Sequence, residues 1–196
     1  MDIAFFDFDG TISSRDSFVD FIIYACGYKK FITGILWSSP FLIMYKLKII
    51  PNWIAKEKVI TLFFGGWSDD RFNTTSIRYS QERLPQIIRE RAKRAIEFHK
   101  RNGDEIVVVS ASPENWLQSW CSSYGLNLIS TKLEIKNCRI TGKLSTPNCY
   151  GIQKVIRINE RFNLNEYDTI YAYGDSRGDK EMLNLADVKF YKWKQV

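Results

Sequence analysis

The 196-residue sequence predicts an α/β fold, a doubly wound parallel sheet with a helical insertion after its first strand. Three observations carry this expectation. Short, nearly continuous apolar runs occur at Asp2–Gly10, Glu105–Ser110 and Thr169–Gly174, the pattern of strands buried on both faces. Segments of helical period alternate with them, which implies right-handed crossovers. The polar residues that interrupt the runs cluster at their C-terminal ends, the edge at which open α/β sheets bind ligands.

Taken in order, the first strand ends in Asp7-Phe8-Asp9-Gly10. Residues 11–104 then separate it from the second strand, far too long a stretch for a simple crossover. Phe18, Phe21, Ile22 and Ala25 keep one helical face, and Ile87–His99 runs without Gly or Pro. Pro51 and Gly65-Gly66 are breaks, so 13–92 reads as a small helical insertion. After the second strand come a helix over Glu114–Tyr124 and a strand over Leu126–Ser130. Leu133–Ile135 and Arg139–Thr141 flank the turn-prone Lys136-Asn137-Cys138 and read as a hairpin appended to the sheet. Helices over Ile152–Phe162 and Lys180–Ala186 alternate with the third strand and with a last one at Val188–Tyr191. Trp116 and Trp120 share a helical face and are assigned to the core. His99, beside Lys100 and Arg101, is expected at a solvated helix end.

Composition excludes disorder and fibrous repeats: 45% of residues are hydrophobic and 26% charged. The net charge of +6 is unevenly placed. Residues 13–92 hold 12 basic and 7 acidic side chains, a balance of +5, which leaves +1 for the remainder. No acid lies between Asp20 and Glu57, whereas Lys29, Lys30, Lys46, Lys48 and Lys56 do. These lysines are mixed with aliphatics and lack the basic–aromatic alternation of base-stacking surfaces, so no nucleic-acid partner is expected. Phe31–Tyr45 is uncharged but too short, and too broken by Ser38-Ser39-Pro40, to span a bilayer. It is expected to pack within the insertion; peripheral contact with an anionic membrane is the alternative. Four cysteines without metal-ligand spacing, and an N-terminus that enters a strand directly, point to reduced thiols in a cytoplasmic protein.

Asp7 and Asp9 share one face of a strand end. Carboxylates that close repel unless a cation sits between them. Asp175, ending the third strand in Gly174-Asp175-Ser176-Arg177-Gly178-Asp179, adds another hard oxygen, and such a set suits Mg²⁺. Ser110 and the backbone N–H groups after it offer anion donors, and Lys154 offers charge.

Asp7-Phe8-Asp9-Gly10-Thr11, Val109-Ser110-Ala111-Ser112, Lys154 and Gly174-Asp175-Ser176-x-x-Asp179 together resemble the four ordered motifs of the haloacid-dehalogenase superfamily. The insertion between the first two motifs resembles the phosphoserine-phosphatase-like subclass, subfamily IB. The resemblance implies a Rossmann-like core over 1–12 and 93–196, with 13–92 as a cap that selects the substrate. It implies that Asp7 is nucleophile and metal ligand, and that Asp9 gives its backbone carbonyl to Mg²⁺ and its carboxyl to acid–base work. Asp175 would be the third ligand. Ser110, the Ala111 backbone and Lys154 would hold phosphoryl oxygens, with Thr11 bracing the first loop and Asp179 orienting the groups around it. Serine-specific members carry glutamate nine residues past the nucleophile; here Asp16 stands there, one methylene shorter, which points away from phosphoserine. Arg177, inside the last motif loop, is a candidate for substrate selection, with an exposed loop arginine as the equal alternative. The implied function is Mg²⁺-dependent hydrolysis of a phosphorylated small molecule through an aspartyl-phosphate. The alternatives are a phosphatase of an anionic phospholipid monoester, such as phosphatidylglycerophosphate, at a membrane surface, and a non-catalytic phosphoacceptor, which has less need of Asp9.

Overall fold

The first strand, β1 (Ile3–Phe6), lies in the middle of the sheet, and all four of its side chains are fully buried. The computed structural model describes residues 1–196. Along the chain follow β2 (Glu105–Pro113), β3 (Asn127–Thr131), β4 (Leu133–Lys136), β5 (Arg139–Leu144), β6 (Ile170–Gly174), β7 (Val188–Tyr191) and β8 (Lys194–Gln195). The main sheet has the order β3-β2-β1-β6-β7-β8, parallel except for β8 against β7. Its order reverses at β1, with β2 on one side and β6 on the other, which creates the crevice where such sheets hold ligands. Phe6 is in register with both Val108 and Tyr173, so the three chains leave the sheet at the same edge.

Strand alternation splits the core in two. Ile3 and Phe5 face a cluster with Val107, Val109, Ala172, Ile158 and Met182. Ala4 and Phe6 face a larger one. That second cluster runs without interruption into the helices inserted after β1: α1 (Ser17–Cys26), α2 (Tyr28–Lys46), α3 (Asn52–Phe64) and α4 (Asp69–Glu82). Phe21 of α1 stacks on Trp116 with ring centroids 4.5 Å apart and meets Phe64, Phe72 and Tyr79 at 5.3–5.6 Å. Helices α5 (Glu90–Asn102), α6 (Glu114–Ser123), α7 (Ile152–Asn159) and α8 (Lys180–Leu183) complete the fold, and Trp116 and Trp120 of α6 are buried as expected.

The strands of the insertion's base are tied together. Ser14 N–H donates to Ile87 O (2.7 Å), Arg89 N–H donates to Ile12 O (2.9 Å), and Ser13 bridges Ile88. This pairing requires extended backbone at Ile88, so a 3₁₀ turn (Leu84–Ile87) precedes α5, which starts at Glu90 rather than Ile87. A boundary at residue 92 falls inside that helix. Two further expectations fail. The hairpin β4–β5 forms a sheet apart from the main one and docks on the insertion: Arg139 bridges Ser68, Gly66 N–H donates to Ile140 O, Ile140 N–H to Trp67 O, and Leu144 N–H to Glu57. His99 is fully buried, not solvated. Its Nδ1 lies 2.7 Å from the Asp104 carboxylate and its Nε2 3.0 Å from the Tyr173 hydroxyl, which satisfies both nitrogens inside an aromatic cage of Phe6 and Tyr171.

Helix α2 packs on α3 through only one side of the run 31–45. Only Gly34 and Ser38 are buried on it, with Phe31 and Leu42 at the core's edge. Gly34 is there because α2 and α3 approach so closely that a Cβ would enter the Phe63 ring. Pro40 frees the Leu36 carbonyl of its helical donor, and the Ser39 hydroxyl donates to that oxygen instead (2.7 Å). No helix of the chain is long and apolar enough to cross a membrane. The four cysteines are unpaired. Gly34→Val should destabilise the fold by about 1–3 kcal/mol through overpacking, read as a lower urea midpoint with an unchanged m-value.

Candidate active site

The shared register of β1, β2 and β6 brings Asp7, Ser110 and Asp175 to one place from three distant parts of the sequence. Asp7 directly follows β1, and its N–H donates to Tyr173 O (2.9 Å). The turn beyond it is held close to the β6 loop: a Cβ on Gly10 (φ +89°) would collide with the Asp175 carboxylate. Thr11, buried beneath, donates to Asp175 Oδ1 at 3.4 Å.

Lys154 of α7 is buried and connects the parts. Its ammonium donates to Asp7 Oδ1 (2.6 Å), Asp179 Oδ1 (2.6 Å) and Val109 O (2.8 Å), which uses all three hydrogens. Asp179 is doubly engaged. Its Oδ2 accepts from Ser176 N (2.9 Å), Ser176 Oγ (2.8 Å) and Asp175 N (3.2 Å), so it has no free oxygen for a cation. Burial pushes Asp179 up, but Lys154 and Ser176 outweigh it and hold the carboxyl below its ordinary range. Burial likewise pulls Lys154 down, and Asp7 with Asp179 more than restores it, keeping the ammonium charged. One ammonium for two carboxylates leaves Asp7 short of positive charge. Burial pushes Asp7 up to about 8 against the pull of Lys154, and Asp179 and Asp9 add to the rise. Asp175 is raised too, by burial and then Asp179.

The carboxylate oxygens of Asp7, Asp175 and Asp179 approach within 4.8 Å of one another. Asp7 and Asp175 each keep one oxygen without a protein donor. Hard oxygens crowded together and short of charge fit a small divalent cation such as Mg²⁺.

The Asp9 carboxyl turns the other way, toward the insertion. It accepts from Ser17 N–H at the start of α1 (2.6 Å) and from Ser112 Oγ (2.6 Å). Ser17 Oγ in turn accepts from Trp116 Nε1 (3.2 Å), so a buried chain anchors the acid to α1, β2 and α6. Burial and the neighbouring Asp16 push Asp9 up to about 6, with Ser112 and Ser17 opposing. That value suits a group that both gives and takes a proton near neutrality. Ser110 is fully buried, and its hydroxyl accepts from Ser112 N–H (3.0 Å). Asp16 is exposed and caps α1 through Val19 N–H (3.0 Å). Arg177 is exposed beside Tyr150 and makes no hydrogen bond to the acids.

Sequence reasoning missed Lys56. From α3 its ammonium reaches across to Ala111 O (2.9 Å) and Asn148 Oδ1 (3.0 Å), and Asn148 also accepts from Thr131 and donates to Asn52. Burial pushes Lys56 down to about 8, against the pull of Asp9 and Asp16. As one lysine in a basic segment it had no distinguishing signal; only the folding of α3 over β2 selects it. A cleft of about 530 Å³ opens beside Asn148 between α3 and the 144–153 segment, lined by Trp53, Glu57 and Tyr150. Asp7 and Asp175 do not line it.

Fold and site together define a haloacid dehalogenase-like hydrolase whose fold is that of the phosphoserine phosphatases. Residues 4–184 match the family model described as haloacid dehalogenase-like hydrolase, and the chain belongs to that family. Protein CicA of Caulobacter vibrioides is 32% identical over 189 residues, spanning 95% of this chain and 84% of that protein. A Bordetella pertussis Tohama I protein of unknown function superposes with a TM-score of 0.84 at 20% identity, covering 97% of this chain and 89% of that one. A phosphoserine phosphatase solved as a phospho-aspartyl intermediate analogue superposes at 0.69 with 17% identity, covering 96% and 85%.

On the reading that Asp7 is the nucleophile and a cation ligand, Asp7→Asn should reduce turnover below about 1% of wild type with an unchanged circular-dichroism spectrum, because an amide neither attacks phosphorus nor ligates a cation well. Lys56→Met, which keeps the volume but removes the ammonium held by Ala111 O and Asn148 Oδ1, should lower kcat/KM about 10- to 100-fold.

Proposed function

We propose that the protein is an Mg²⁺-dependent phosphatase that hydrolyses a phosphate monoester through an aspartyl-phosphate on Asp7. The observation that supports this most directly is a buried carboxylate with one oxygen fixed by Lys154 and the other free, set beside a second carboxyl poised near 6. In the first step an Asp7 oxygen attacks phosphorus, the ester P–O bond breaks, and the Asp9 carboxyl passes its proton to the departing oxygen. In the second, water attacks the same phosphorus, the Asp9 carboxylate takes the water's proton, and the Asp7–phosphorus bond breaks to release phosphate.

Mg²⁺ would be held by Asp7, Asp175 and the Asp9 backbone carbonyl, and when bound it supplies positive charge that lets a phosphate approach a site otherwise dominated by acids. Lys154 keeps Asp7 aimed and keeps Asp179 ionised. Ser110 and the Ala111 backbone lie where β2 loses its regular register, beside this group, and are suited to phosphoryl oxygens. Lys56 brings a positive charge from the insertion to the leaving-group side, and Asp16 adds a negative one, so the substrate beyond phosphorus meets groups of both signs.

The preferred substrate is a small phosphorylated metabolite, and the unpaired thiols support a cytoplasmic setting. A phospholipid monoester is the second reading, favoured by the outward apolar face of α2. Phosphate release from a panel of both substrate types, with purified protein and Mg²⁺, separates them. Excess EDTA should abolish release from any substrate, and Mg²⁺ should restore it where Ca²⁺ does so poorly, because the looser Ca²⁺ shell spoils in-line geometry. Full activity in EDTA overturns the metal assignment.

A further inference from the structure

Helix α2 buries its small residues and exposes its large ones. Ile32, Leu36, Ile43 and Leu47 recur on the side opposite Gly34 and Ser38. Leu36 and Leu47 keep 67% and 66% of their surface exposed, and Trp37, on the flank, keeps 76%. A helix that only completed a core would present the reverse face. Gly34 fixes the orientation, because no other side of α2 approaches Phe63 closely enough.

Charge brackets this face. Lys29 and Lys30 stand at the N-terminal end and Lys46 and Lys48 at the C-terminal end, all exposed, with no acid in the sequence from residue 21 to residue 56. We propose that the outward face of α2 seats the protein on an anionic bilayer, the helix lying in the interfacial plane with its lysines among the headgroups.

A second copy of the chain is a poor occupant. Two-fold pairing of the face would set these lysines near their own counterparts with no acid in the segment to neutralise them. A bilayer surface supplies apolar depth and negative charge together, and Trp37, Tyr28 and Tyr45 are side chains that favour such an interface. The face also ends near the cleft beside Asn148. From α2 the chain passes through residues 47–51 to Asn52 and Trp53 at the start of α3, which line the cleft with Tyr150, and Tyr150 packs against Gly178 in the Asp175–Asp179 loop. Docked in this way, the cleft meets the headgroup layer. This deepens the lipid-monoester reading and rests on it only for what a docked site would hydrolyse.

The test is co-sedimentation of the full chain with vesicles of phosphatidylcholine alone or mixed with phosphatidylglycerol. Binding to the anionic vesicles should exceed binding to the neutral ones at least about tenfold and weaken as salt is raised. The Leu36→Glu/Ile43→Glu variant should lose about tenfold or more of that binding. It should also keep its hydrolysis of soluble p-nitrophenyl phosphate and its circular-dichroism spectrum. Lys46→Gln/Lys48→Gln should weaken anionic binding only. Protein that stays in the supernatant with both vesicles, equal binding to both, or wild-type binding by the Leu36/Ile43 variant overturns the proposal. So does a dimer in sedimentation velocity that this variant dissociates, which would assign the face to a second copy. Vesicle binding needs no turnover, so a protein that docks but releases no phosphate from any monoester refutes the phosphatase reading and leaves the docking intact.

Discussion

The arrangement depends on one buried ammonium. Lys154 holds Asp7 and Asp179 at 2.6 Å each and closes its third hydrogen on the carbonyl of Val109. It thereby joins the loops after β1 and β6 to the end of β2 through a single side chain. Removing one partner of a buried ionic group costs about 3–5 kcal/mol, since the remaining charge is left without compensation. Here the loss would leave two carboxylates stranded. The same contact sets the chemistry. Asp179, with three other donors, is the carboxylate that the ammonium keeps ionised, and Asp7 is left under-neutralised. In the proposed mechanism, a nucleophile in that state calls for another positive charge, the part assigned to the cation.

The parallel sheet provides the stage for this contact at little extra cost. Because Phe6 is level with Val108 and Tyr173, three sequence-distant polar residues leave the sheet together, and the reversal of strand order at β1 leaves space above them. Gly10 then lets the first loop close on Asp175, an approach no side chain permits.

The insertion is a functional part of the core rather than an appendage. Phe21 carries the sheet's apolar cluster into the helices, and the Asp9 carboxyl is held jointly by Ser17 of α1 and Ser112 of β2. Any shift of α1 must therefore disturb the Asp9 carboxyl, the group to which the proposed mechanism gives proton transfer. Lys56 and Asn148 extend the link to the cleft.

Much of this was legible along the chain. Unbroken apolar runs require strands covered on both sides, and acids at their ends have only the C-terminal edge to occupy, so the sheet, the order of its elements and the nearness of Asp7 to Asp175 follow from local pattern. The Asp9 carboxyl, expected on the same face as Asp7, instead turns to the insertion because Ser17 and Ser112 hold it there. Lys154 and Asp179 came through motif resemblance, which marks them without saying whom they touch. Side-chain partners across long sequence separations left no trace in periodicity. Lys56 looked like any surface lysine until α3 folded over β2, and His99 looked solvated until α5 turned its last turn against Tyr173. The hairpin's strands were readable but their partner was not, since pairing with itself or with the sheet demands the same alternation. Hydropathy along α2 likewise does not tell which face is buried: both faces are apolar, and the close approach of Gly34 to Phe63, a property of two packed helices, is what turned the large side chains outward.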